Sequence, residues 1–198
     1  TGYLEMARAA AGTSAALRDV FFLQPLAIEA VSLLVECTVA DGRFEVRSLE
    51  ADEAMSGVVV HCSGAIVAID GWQHVDHASV RGGSCAFASD CGALYDEFDA
   101  VGLQYGPGYR TLLQGWGGMT EAISRLRVRS THEGTHVHPA DLDDVLCTSA
   151  VVVSLGGDGG GTGAHLPFAV DDALLRAAPG HLWAVRCTLT VTPLRPAL

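Results

Sequence analysis

The residues best suited to chemistry lie close together in the segment HPADLDDVLC, which runs from His138 to Cys147. Asp143 could act as a general acid, and Cys147, one helical turn later, could act as a nucleophile on the same face. Helix geometry turns Asp141 and Asp144 about 200° and 100° away from Asp143. We predict that these two face water or the positive end of the helix dipole. By residue type alone, Asp143 also fits an ordinary first-turn acid, and Cys147 a small buried residue.

Several histidines are closely spaced, in one group at His132, His136 and His138 and in another at His74 and His77. Such pairs can bind zinc, but no nearby carboxylate or third ligand completes either set. We therefore predict surface or loop histidines without a metal, and a core or edge histidine at His61. The glycine-rich segment 156–163 lacks the lysine of a phosphate-binding loop, and we predict a flexible surface loop there.

Composition excludes several classes of protein. The chain has 198 residues, of which 49% are hydrophobic and 18% charged, which indicates a packed domain rather than a disordered one. Its net charge of −11 argues against nucleic acid or an anionic membrane as a partner. Lysine is absent, which rules out a Schiff-base lysine within these residues. No apolar run reaches transmembrane length.

The hydrophobic pattern predicts an α+β fold in which antiparallel strands follow a helix. The Asp41-Gly42 pair predicts a tight hairpin, and His138-Pro139 predicts the start of a helix that extends to about residue 152. Further helices are expected at 1–11 and 94–101. Strands are expected at 20–24, 31–39, 43–48, 57–69, 112–116, 121–128, 166–170 and 182–191.

Four motifs follow one another along the chain: TGYLEMARAA at 1–10, DGRFEVRS at 41–48, GLQYGPGYRTL at 102–112 and HPADLDDVL at 138–146. In this order they resemble the dehydratase domains of modular polyketide synthases. The resemblance implies a double hot-dog fold, in which each of two repeats wraps an antiparallel sheet around a central helix. It places the first repeat at 1–78, a linker at 79–90 and the second repeat at 91–198, with both ends of the domain trimmed.

The resemblance also implies a reaction, the loss of water from a 3-hydroxyacyl chain on an acyl carrier protein. Asp143 matches the family's proton donor, in a tunnel between the repeats, whereas the catalytic histidine would lie upstream of Thr1. Tyr105 would donate a hydrogen bond near the wall of the active site, and Gly106 and Pro107 would shape the turn beside it. The substrate would be carried on phosphopantetheine, and the domain would need no cofactor of its own. Neighbouring synthase domains, a homodimer and a cytoplasmic location are implied as well.

Cys147 departs from the family pattern, which has Gln or His at this position to orient the aspartate. A thiol is a weaker hydrogen-bond partner, so either another group orients Asp143 or the domain is a degenerate, non-catalytic scaffold. A related isomerase or cyclase is a further alternative. The retained Asp143 argues against both.

Overall fold

The computed structural model describes residues 1–12, 15–27, 33–50, 57–68, 71, 76–131, 133–151, 168–175 and 182–187. Four α-helices occur in these ranges: α1 (Gly2–Ala11), α2 (His77–Gly83), α3 (Cys91–Ala100) and α4 (Pro139–Cys147). Short 3-10 helices span Pro107–Tyr109 and Thr148–Val151. The strands are β1 (Ala15–Phe22), β2 (Leu33–Ala40), β3 (Arg43–Glu50), β4 (Val59–Ala68), β5 (Phe87–Ser89), β6 (Leu112–Gly117), β7 (Glu121–Leu126), β8 (Ala169–Ala173) and β9 (Trp183–Cys187).

The chain forms two compact units. The first is built from residues within 1–73, 130–142 and 165–178, and the second from residues within 74–129, 143–164 and 179–198. Each unit contains one antiparallel sheet, with the strand order β2-β3-β4-β1-β8 in the first and β5-β6-β7-β9 in the second. The predicted mixture of helices and antiparallel strands is therefore confirmed.

The hairpin between β2 and β3 forms where the sequence predicts it. Asp41 and Gly42 both have positive φ angles, of 49° and 72°, which a tight two-residue turn requires at its centre. The two strands then pair residue by residue from Ala40 with Arg43 to Leu33 with Glu50. A local turn signal thus fixes the register of a long ladder.

Helix α1 packs its apolar side into the core of the first unit. Leu4 and Ala7 of this helix are buried against strand residues that include Leu17, Phe44 and Val46. The apolar spacing of the helix accounts for this face. Gly64 on β4 lets the Phe44 ring approach the backbone, because a Cβ at this position would lie 2.7 Å from Cε1 of the ring.

The core of the second unit lies between its sheet, α3 and the 3-10 helix Thr148–Val151. It is composed of buried apolar residues from all of these elements: Cys91, Leu94, Tyr95, Leu112, Ala122, Leu126, Val151 and Ala184. Asp90 begins α3 by accepting the backbone N–H groups of Gly92 and Ala93. Cys147 and Tyr105 pack against this core from its half-buried margin.

The structure differs from the sequence expectations in how the chain divides into two repeats. Residues 79–90 were expected to be a linker, but they contain the end of α2 and strand β5. Asp76 caps α2 through the N–H groups of Ala78 and Ser79, a local signal that the glycines of this segment obscured. Strand β8 pairs with β1 of the first unit rather than with the sheet of the second. The sequence did not predict this pairing, because hydrogen bonding between strands so far apart in the chain has no local signature.

The glycine-rich segment 156–163 lies outside the described residues, so its assignment as a surface loop stays a prediction. Within the described part of the chain, no helix is long and apolar enough to cross a membrane.

Candidate active site

Helix α4 begins at the His138-Pro139 pair as predicted. Pro139 is the first helical residue, where its missing N–H costs nothing. The Nδ1 atom of His138 accepts the backbone N–H of Ala140 at 3.1 Å, so the ring caps the helix. The histidine and proline of this motif therefore define the start of the helix, and the residues available for chemistry come later on it.

Asp143, Cys147 and Tyr105 lie together in the second unit. The Tyr105 hydroxyl and the Cys147 Sγ are 3.3 Å apart and form a hydrogen bond. Burial raises the pKa of Tyr105, and the neighbouring Cys147 and Asp143 raise it further. All three side chains are half-buried. The structure thus brings together the three side chains that the sequence singled out: Asp143, Tyr105 and the Cys147 thiol, which departs from the family pattern.

Cys147 is held as a neutral thiol. Burial raises its pKa to about 12, and the carboxylates of Asp143 and Asp144 act in the same direction. The hydrogen bond with Tyr105 opposes this rise without offsetting it. Because the thiolate is the nucleophilic form, these surroundings disfavour the nucleophile alternative.

Tyr105 is anchored from its ring and from its backbone. Its ring contacts Tyr95 and Phe98, with centroids 5.7 Å and 5.4 Å away. Arg110 Nε donates to the Tyr105 carbonyl at 2.8 Å. Tyr105 is therefore a packed aromatic whose hydroxyl is hydrogen-bonded to Cys147, and its role at the wall of an active site stays a prediction.

The turn after Tyr105 is shaped by Gly106 and Pro107. Gly106 precedes the 3-10 helix and its carbonyl accepts the N–H of Tyr109 at 2.9 Å. Arg127, which follows β7, donates to the Pro107 carbonyl at 3.1 Å. These hydrogen bonds to the Gly106 and Pro107 carbonyls hold the backbone beside Tyr105.

Of the two alternatives expected for Asp141 and Asp144, exposure to water is wrong for both. Asp141 is 2% exposed and Asp144 is fully buried. Asp144 accepts hydrogen bonds from the Tyr95 hydroxyl and from both the N–H and the hydroxyl of Thr111. These partners make burial of the carboxylate possible, since a buried charge needs donors around it. Asp141 keeps its expected place in the first turn of α4, where the helix dipole favours an acid.

Sequence reasoning missed Tyr95 and Thr111 as neighbours of the site. Tyr95 lies in a short helix of ordinary composition, so nothing local marks it. Thr111 lies inside the motif GLQYGPGYRTL, two residues after Tyr109, and its position there was the one available signal.

The histidines of the described residues have structural partners. His61 is buried, with Nε2 2.7 Å from the Ser48 hydroxyl and Nδ1 3.2 Å from the Gln24 carbonyl, as expected of a core histidine. His138 lies 3.7 Å from a Glu133 carboxylate oxygen. Among the described residues, no three His, Cys, Asp or Glu side chains form a group that could hold a metal ion.

Comparison with solved structures shows the fold. The dehydratase domain from the CurF module of curacin polyketide synthase superposes with a TM-score of 0.77 at 21% identity, covering 96% of this chain and 72% of that one. The dehydratase domain of RzxB from Pseudomonas fluorescens gives 0.72 at 22% identity, covering 91% and 66%. The double hot-dog fold is therefore confirmed.

Comparison of sequences shows the family. Polyketide synthase ThaG of Burkholderia thailandensis is 30% identical over 171 residues, which cover 79% of this chain and 3% of ThaG. The family described as "Polyketide synthase dehydratase N-terminal domain" matches residues 74–192, which is more than half of the chain and includes both the Tyr105 and the Asp143 motifs. The chain belongs to the dehydratase domains of polyketide synthases.

Proposed function

We propose that this chain supplies the acid half of a 3-hydroxyacyl dehydratase that acts on substrates bound to an acyl carrier protein. The observation that carries the proposal is the placement of Asp143 on α4 beside the Tyr105 hydroxyl and the Cys147 thiol. Hydroxide is a poor leaving group, so the reaction needs a proton donor at the C3 oxygen. Asp143 is the residue that matches the family's donor.

The reaction balances with one base and one acid. A base removes the proton from C2, the C2–H electrons form the C2=C3 double bond, and the C3–O bond breaks as Asp143 transfers its proton to the departing oxygen. The products are an enoyl thioester, water, a protonated base and the Asp143 carboxylate. A proton returned from the base to the carboxylate, directly or through water, restores both groups for the next turnover. No histidine of this chain matches the family's base.

A relative supports the need for one histidine and one aspartate. CurK dehydratase, whose fold gives a TM-score of 0.74 with this chain, is described as inactive when a histidine is changed to phenylalanine or an aspartate to asparagine. Asp143 is the residue we place in the aspartate's role. The partners we propose are the acyl carrier protein, which presents the substrate on phosphopantetheine, and the neighbouring domains of the synthase.

Tyr105 is the group that we propose orients Asp143 in place of the family's Gln or His. Its hydroxyl is near the Asp143 carboxyl and is also hydrogen-bonded to Cys147, so it can orient the acid as the family's Gln or His would. The thiol then fills space and completes the hydrogen bonding of the phenol. This arrangement favours a working acid over a degenerate scaffold.

The experiment is a mass measurement on a carrier protein loaded with a 3-hydroxyacyl chain. The synthase domain that contains this chain is expected to remove the mass of one water, whereas the 198-residue chain alone is expected to leave the substrate unchanged. Turnover by the 198-residue chain would show that its own residues supply the base. An intact substrate with the whole domain would favour the scaffold alternative.

Replacing Cys147 by glutamine is expected to preserve or raise the rate of dehydration, because the amide restores a stronger hydrogen-bond partner for Asp143. Alkylation of Cys147 in the unchanged chain can be followed by mass spectrometry of the peptide that contains it. Its rate should be slow at neutral pH and should keep increasing with pH, without levelling off at any pH well below 12. Loss of activity in Cys147→Gln together with rapid alkylation at neutral pH would instead identify a nucleophile.

A further inference from the structure

The residue next to the proposed acid is held in a network that the reaction itself does not use. Asp144 is fully buried, and its Oδ1 accepts the Tyr95 hydroxyl at 2.8 Å. Its Oδ2 accepts the backbone N–H and the hydroxyl of Thr111. The Tyr95 oxygen in turn accepts the N–H of Leu112 at 3.1 Å, which leaves its own proton for Asp144.

This network joins three elements of the second unit. Tyr95 belongs to α3 and Asp144 to α4, while Thr111 immediately precedes β6 and Leu112 begins it. Adjacent residues of a helix point about 100° apart, so fixing the direction of Asp144 also fixes the direction of Asp143. The Tyr95 ring also lies against the Tyr105 ring, with the centroids 5.7 Å apart, and so links the network to the residue beside Asp143.

The hydrogen bonds identify Asp144 as an acceptor rather than a second acid. Three donors converge on its two oxygens, and a protonated carboxyl group would set its own hydrogen against one of them. Burial raises the pKa of Asp144, and the bonds from Thr111 and Tyr95 oppose that rise. Asp144 has no exposed surface in the described part of the chain, so we assign it no direct contact with the substrate.

We propose that Asp144, through Tyr95 and Thr111, is a positioning residue that sets the rotation of α4 and so aims Asp143 at the leaving oxygen. The inference deepens the proposed function and rests on it. It assigns to the buried network the task of fixing the direction of Asp143, whose own side chain is half-buried. A displacement of about 1 Å in such a group can cost on the order of 10²-fold in rate.

Two variants test the network. Asp144→Asn keeps the shape but turns an NH₂ group toward a donor, and Tyr95→Phe removes one donor while leaving the charge of Asp144 in place. In the synthase domain containing this chain, each is expected to lower kcat, by on the order of 10²-fold for Asp144→Asn, with KM changed by no more than about twofold. In the 198-residue chain, each should speed alkylation of Cys147, since α4 is no longer pinned.

Thr148→Val is the matched control. Thr148 is also buried and its hydroxyl donates to the Asp144 backbone carbonyl at 3.1 Å, so this variant weakens the same segment but leaves every hydrogen-bond donor to the Asp144 carboxylate in place. We expect Thr148→Val to lower Tm by about as much as Asp144→Asn does, and to keep kcat within about twofold of the value for the unchanged domain. An equal loss of kcat in Thr148→Val, or full kcat in Asp144→Asn, would overturn the positioning role.

The two readouts separate this inference from the proposed function. If the unchanged domain fails to dehydrate any 3-hydroxyacyl substrate, the proposed function fails and the catalytic role of Asp144 falls with it. Faster alkylation in Tyr95→Phe would still show that the network holds α4. If the unchanged domain is active but neither variant changes alkylation or kcat, the proposed function stands and the network has no positioning role.

Discussion

Replacing Asp143 by asparagine is expected to reduce dehydration by the synthase domain containing this chain by on the order of 10²-fold or more. The amide keeps the size and the hydrogen-bonding reach of the carboxyl group but has no acidic proton for the departing hydroxyl. Asp143 is half-buried beside Tyr105, so an uncharged side chain of the same shape fits without a cavity. The measurement is the initial rate of water loss from a carrier-bound substrate.

Asp96→Asn is the matched control, because Asp96 is an exposed carboxylate on α3 of the same unit. Its rate should equal that of the unchanged domain, and both variants should melt at the unchanged temperature within a few degrees. Full activity in Asp143→Asn would show that another group is the acid.

Replacing Arg8 by methionine is expected to destabilise the first unit by about 3–5 kcal/mol, because it leaves the Glu5 carboxylate buried without its counter-ion. Arg8 donates two hydrogen bonds of 2.8 Å to Glu5, and the side chains are 9% and 7% exposed. The His136 N–H donates to the same carboxylate at 2.7 Å. Urea unfolding measures the loss.

Arg18→Met is the control for this prediction. Arg18 pairs with Asp172 at the same distance of 2.8 Å, but the side chains are 46% and 66% exposed. An exposed pair is screened by water, so its loss should cost less than about 1 kcal/mol. Equal effects of the two substitutions would mean that burial does not decide the strength of these pairs.

The dependence on pH follows from the pKa of Glu5. Burial alone would raise that pKa, but Arg8 and the N–H groups of His136 and Val137 outweigh burial and hold it below its usual value of 4.5. A lowered folded-state pKa gives stability that is present above the unfolded pKa and lost as the pH falls through the folded one. The difference in the free energy of unfolding between the unchanged chain and Arg8→Met should therefore become smaller below about pH 4.5.

Features with a local cause could be predicted from the sequence. The Asp41-Gly42 turn needs only two residues that tolerate positive φ, and the start of α4 needs only a capping ring and a proline. The order of the motifs then led to the family and to Asp143. Each of these inferences depends on neighbours a few positions away.

Features that depend on distant partners could not be predicted. Asp144 has the composition of an exposed helix acid, and it is buried because Tyr95 and Thr111, which are 49 and 33 residues away, donate to it. Strand β8 joins the first sheet beside Arg18, whose partner Asp172 is 154 residues along the chain. Neither pairing changes the local hydrophobic pattern, so the spacing of apolar residues along the sequence cannot predict it.

The most direct test of the central claim, that Asp143 protonates the leaving group, compares two substrates in the same variant. A 3-fluoroacyl chain on the carrier loses fluoride, which needs far less protonation than hydroxide does. We predict that Asp143→Asn slows elimination from the 3-hydroxyacyl chain by on the order of 10²-fold or more and elimination from the 3-fluoroacyl chain by less than about tenfold. An equal loss with both substrates would contradict the claim, because it would show that Asp143 supports the site without donating the proton.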